Sequence, residues 1–133
     1  DEALAGYKAA TAIDTGFLTP YFFFCIIYQN KGMDKEAAQC YEKYLPAHPL
    51  QMEVYANLSY AYFKIEQFDK SIATNQRAIA VSPNSFDPYL NIGKTYMHLK
   101  QTDSAIVYFE KAIALKPNDT GLAATIEQLK AGK

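Results

Sequence analysis

The sequence predicts an all-α fold, a solenoid of stacked antiparallel helix hairpins, on two observations. Pro49, Pro83 and Pro117 stand 34 residues apart, and around each the same residue types recur in the same order. A repeat of that length marks an array of small helical units. Within each unit the apolar residues return every three or four positions, the period of a helix buried along one stripe.

Taken in order, the stripes place helices near 1–14, 18–31, 34–46, 51–64, 68–81, 85–98, 102–115 and 119–131. Asp34, Asp69 and Asp103 stand where second helices begin, and each is expected to accept from free N–H groups and favour the positive end of the helix dipole. Pro49, Pro83 and Pro117 close the units, because proline has no N–H to donate and clashes with the preceding turn. Gly16 is expected to do this for the first segment, where Thr15 fills the proline column.

The columns are specific. Tyr21, Tyr55 and Tyr89 align, as do Phe24, Leu58 and Ile92, then Cys25, Ser59 and Gly93, then Tyr28, Tyr62 and Tyr96. Further along come Ala37, Ser71 and Ala105, then Tyr41, Asn75 and Phe109, then Tyr44, Ala78 and Ala112. This pattern resembles the tetratricopeptide repeat: aromatic, Leu-Gly, Tyr, Ala, Phe and a closing Pro. The resemblance covers essentially the whole chain and implies a right-handed superhelix. It divides residues 1–133 as one domain: 1–17 as the second helix of an earlier repeat, repeats at 18–51, 52–85 and 86–119, and a capping helix at 120–133. Ala3, Tyr7 and Ala10 carry the first assignment, since they precede Ala37, Tyr41 and Tyr44 by one period. On that register the chain is expected to be a piece of a longer array. Leu4, Tyr7 and Ile13 would then offer an apolar edge for weak homodimerisation.

Two positions depart from the pattern. Tyr44 stands in a column of alanines and is expected to force helices apart or to point outward. Asn75 puts an amide in an aromatic column, at a cost of about 1–3 kcal/mol if buried without a hydrogen bond.

Composition narrows the function. Thirteen basic residues face fourteen acidic ones without a run of either sign, so no nucleic-acid partner is expected. The longest apolar run, Tyr21 to Tyr28, is far short of the roughly 20 residues that span a bilayer, and membrane insertion is not expected. Cys25 occupies a small-residue column and Cys40 lies on the facing helix; both are expected to be reduced, packed thiols. His48 and His98 have no partners at ligand spacing, so no metal or other cofactor is implied. Neither a phosphate loop nor a nucleophile with a positioned histidine is present, and the chain is not expected to be an enzyme.

The tetratricopeptide resemblance implies instead a concave groove, lined by the first helices of successive units, that holds an extended peptide or a helix. Carried onto this sequence, the groove comprises Phe22, Phe23 and Ile26, then Asn57, Tyr60 and Phe63, then Asn91, Lys94 and His98. Tyr60 and Phe63 are its strongest members, with Asn57 and Asn91 placed to bond a peptide backbone. The Phe22–Ile27 run is apolar all round, which also fits a helix buried on both sides. One subgroup of the family grips a terminal carboxylate with Lys and Arg, but those columns here hold Phe22, Asp87 and Asn91. Shifting by one unit substitutes Ala56 and Tyr60, then Gly121 and Thr125, and restores no clamp. The expected function is a non-catalytic scaffold that binds a protein or peptide. Structural self-association and a regulatory segment of a longer enzyme are the other readings.

Overall fold

The computed structural model describes residues 20–132. Among them are seven α-helices and no strand: α1 (Pro20–Asn30), α2 (Asp34–Tyr44), α3 (Met52–Lys64), α4 (Phe68–Val81), α5 (Phe86–His98), α6 (Thr102–Leu115) and α7 (Thr120–Ala131). Each falls within the span its apolar stripe predicts. The helix expected over 1–14, with Leu4, Tyr7 and Ile13, lies outside the described residues. The chain divides into two compact units, one ending at Gln67 and one beginning at Phe68.

In the first unit α1 packs on α2, and α2 on α3. Phe24, Tyr41, Val54 and Leu58 form its interior. Second helix α2 ends at Tyr44 and passes into a 3-10 turn, Leu45–Ala47. Pro46 explains the early end, since its ring clashes with the turn before it. Tyr44 neither splays the helices nor points outward, contrary to expectation. It is buried, its ring 5.5 Å from that of Phe22 and stacked 4.1 Å from that of His48. Its hydroxyl donates to Gln51 Oε1 at 3.0 Å. The shortened α2 and this aromatic cluster accommodate the ring.

Cys25 and Cys40 are joined in a disulfide, with Cα atoms 5.4 Å apart. This corrects the expectation of two free thiols. The close crossing of α1 and α2 that demands a small residue at Cys25 also brings the two β-carbons within bonding reach.

In the second unit α5 and α6 form the closest hairpin, with α4 against α5 and α7 against α6. Ala105, Phe109, Ala112, Leu122 and Ile126 make up its core. Helix α7 turns Leu122 and Ile126 inward and leaves Glu127 and Gln128 exposed. Asn75 is buried, and its Nδ2 donates to Ser71 O at 3.2 Å, so one N–H of the amide is bonded within its own helix.

Helix starts differ from expectation in a systematic way. Asp34 and Asp103 sit inside the first turns of α2 and α6, whose cap positions are Met33 and Gln101 with no side-chain cap bond. Asp69 likewise lies in the first turn of α4. From within the first turn these carboxylates favour the positive end of the helix dipole. Asp119 is a cap, its side chain accepting from Leu122 N at 3.0 Å.

The turns that follow α1, α3 and α5 share one geometry. Gly32, Glu66 and Lys100 have φ of 75°, 61° and 61°. At each, the next residue's N–H reaches back five positions: Met33 to Tyr28 O, Gln67 to Tyr62 O and Gln101 to Tyr96 O, all at 2.9 Å. Gly32, Glu66 and Lys100 themselves donate to Gln29 O, Phe63 O and Met97 O. This is the Schellman arrangement, which uses a left-handed residue to satisfy the last carbonyls of a helix.

Candidate functional site

First helices α1 and α3 are tied together inside the first unit. Gln29 Nε2 donates to the main-chain carbonyl of Asn57 at 3.1 Å, and Tyr41 Oη, from α2, donates to Gln29 Oε1 at 2.8 Å. Burial pushes the Tyr41 phenol up to about 12; a hydrogen bond with the Asn57 side chain opposes this and the Glu53 charge adds to it. Glutamine here is a bracket between helices, although its place in the sequence suits a ligand contact.

Phe23 and Tyr60 are 47% and 54% exposed. Glu53, Ala56, Tyr60 and Lys64 form an exposed stripe along α3, while Ile26, Asn57 and Phe63 are half-buried beside it. Phe22, by contrast, is 2% exposed and packs on Tyr41 and Tyr44. It belongs to the core and offers no ring to a ligand. Asn57 is partly committed as well, its carbonyl to Gln29 and its amide to Tyr41.

In the second unit Asn91, Lys94 and His98 recur at helical spacing on α5. Asn91 is half-buried and its carbonyl accepts from Thr95 Oγ1 at 2.9 Å. Lys94 and His98 are exposed, with the His98 ring 5.0 Å from that of Phe68. Met97, on the same helix, is 43% exposed. Among the described residues no three His, Cys, Asp or Glu side chains gather as a metal site. No helix among them is long and apolar enough to cross a membrane.

Helical hairpins joined by repeated turns, with rings left outside on the first helices, define an α-helical repeat protein. Residues 86–119 match a tetratricopeptide repeat model and residues 59–100 a second TPR repeat model. No curated protein sequence matches the chain at a significant level. Solved structures do. The crystal structure of MamA is 26% identical, covers 97% of this chain and 75% of that one, and gives a TM-score of 0.81. The first TPR of Spaghetti (RPAP3) bound to the HSP90 peptide SRMEEVD is 22% identical, with 81% and 86% coverage and a TM-score of 0.70. The Yersinia enterocolitica type III secretion chaperone SycD, in complex with a peptide of the translocator YopD, is 11% identical, with 84% and 91% coverage and a TM-score of 0.76. The chain is a tetratricopeptide repeat protein.

Proposed function

We propose that the chain is a non-catalytic scaffold that binds a peptide on the first-helix face formed by α1 and α3. The observation that carries this reading is the exposure of Phe23 and Tyr60 on helices whose other rings are largely buried. Water does not favour such rings, and exposed apolar groups at a tight helix pair mark binding surfaces. The Tyr41–Gln29–Asn57 bracket holds the two helices in register, so the face is formed before a ligand arrives. Asn91, Lys94 and His98 present a second, more polar set on α5.

Peptide complexes of the first RPAP3 TPR domain and of SycD support this class of ligand. The chain lacks basic residues in the columns that would clamp a terminal carboxylate, and Phe22, in one of them, is buried. Recognition is therefore assigned to the rings and not to a carboxylate clamp.

Peptides selected by display against the intact protein provide the test. Tyr60→Ala together with Phe23→Ala is expected to weaken their binding at least about tenfold, the scale of losing one well-packed aromatic contact, while circular dichroism stays unchanged. Selected peptides that bind the double variant as well as the native protein would remove α1 and α3 as the site.

A further inference from the structure

The second unit holds a recess that none of the candidate groove residues line. It has a volume of about 510 Å³ and lies between α4 and α6, on the side of the second helices. Its apolar walls come from Ile79, Pro83 and Leu115 and from the rings of Tyr89 and Tyr108. Both rings are held in place. Tyr89 Oη donates to Pro83 O at 2.8 Å, and the Tyr108 ring lies 5.8 Å from that of Tyr96.

Three polar side chains complete the lining. Gln76 and Asn84 are exposed, and each carries both a donor and an acceptor, the complement of a peptide group. Lys111 is the one charged residue of the lining. Its Nζ stands 4.8 Å from the centre of the Tyr108 ring, which aims the charge across the recess wall. The neighbouring carboxylate, Glu110, is bonded to Lys130 at 3.0 Å, and among the described residues none pairs with Lys111. The recess therefore combines apolar walls, two amides and one uncompensated positive charge.

We propose that this recess binds an acidic peptide segment. An apolar side chain lies against Tyr89 and Tyr108, the adjacent backbone meets Gln76 and Asn84, and a following Asp or Glu carboxylate reaches Lys111. The site is independent of the α1–α3 face, so either can fail without the other.

The test is a nitrogen-15 amide NMR titration of the full chain with the capped peptide acetyl-Ala-Leu-Glu-Ala-amide and its Gln analogue. Shifts are expected at the amides of Asn84, Tyr108 and Lys111. The Gln peptide, and the Lys111→Gln variant with the Glu peptide, should each bind about fivefold more weakly, the scale of one exposed ion pair. Ala114 is exposed on the recess lining, so Ala114→Leu should leave the spectrum folded and abolish the shifts. The proposal is overturned by unshifted amides at millimolar peptide, by equal binding of the two peptides, or by shifts confined to α1 and α3.

Discussion

Gly93 faces the ring of Phe109 so closely that a Cβ added to it would stand 2.6 Å from both Cδ1 and Cε1. Phe109 is buried and cannot swing away without emptying its own site. Gly93→Ala is expected to lower stability by about 1 kcal/mol and Gly93→Leu by about 3 kcal/mol, the span of overpacked cores. Urea unfolding measures both. At Gly121 an added Cβ meets only Asp119 Oδ1, at 3.5 Å, so Gly121→Ala should be neutral or stabilising by about 0.5 kcal/mol. Indifference at Gly93 would mean that α5 and α6 cross in another register.

The left-handed turn residues predict changes of opposite sign. Lys100 holds φ 61°, a conformation that costs a non-glycine residue roughly 1–2 kcal/mol. Lys100→Gly should raise stability by up to about 1 kcal/mol once the added freedom of the unfolded chain is subtracted. Gly32, at φ 75°, has open space around it, so Gly32→Ala should cost about 1 kcal/mol through backbone strain alone. Thermal melts of the pair check this, and matching shifts in the same direction would contradict the turn geometry.

Oxidation of Cys25 and Cys40 should be evident in the intact mass of native protein after alkylation without reductant, with neither thiol labelled. The bond joins residues 15 apart, and closing a loop of that size stabilises by about 3 kcal/mol in the chain-entropy model. Reductant is expected to lower the melting temperature accordingly, with no further effect on a Cys25→Ser, Cys40→Ser variant.

Alkali should expose Tyr41. Its phenol titrates near 12 in the folded protein, chiefly through burial, against about 10 in the unfolded chain. Between those values the unfolded state holds fewer protons, so stability is complete below about pH 10 and falls as pH rises toward 12. The loss is on the order of 2 kcal/mol. In Tyr41→Phe the slope of stability across that window should flatten.

The repeat period and its columns made the fold readable, because proline spacing and helical periodicity report backbone and burial directly. Gly93 and Ala105 were readable for the same reason. Phe22 and Phe23 were not separable: in a run apolar on every side, no polar face tells which ring turns inward. The bracket made by Gln29 was not readable because its partners, Tyr41 and Asn57, are 12 and 28 residues away. The disulfide was hidden by chemistry that suits a small thiol and a half-cystine equally. The turn column was missed because Gly32, Glu66 and Lys100 share a dihedral angle and no side-chain chemistry.

Those turns bear on how the chain comes off the ribosome. Each closes with backbone bonds spanning three to five residues, so a hairpin needs nothing from later sequence to form. Contacts of such short range are the fast ones in folding. During synthesis the turn at Gly32 can bring α1 against α2 while the α3 segment is still emerging, setting Cys25 opposite Cys40. Given an oxidant to take up the two electrons, pairing of the two sulfurs then needs no sequence beyond the newborn hairpin.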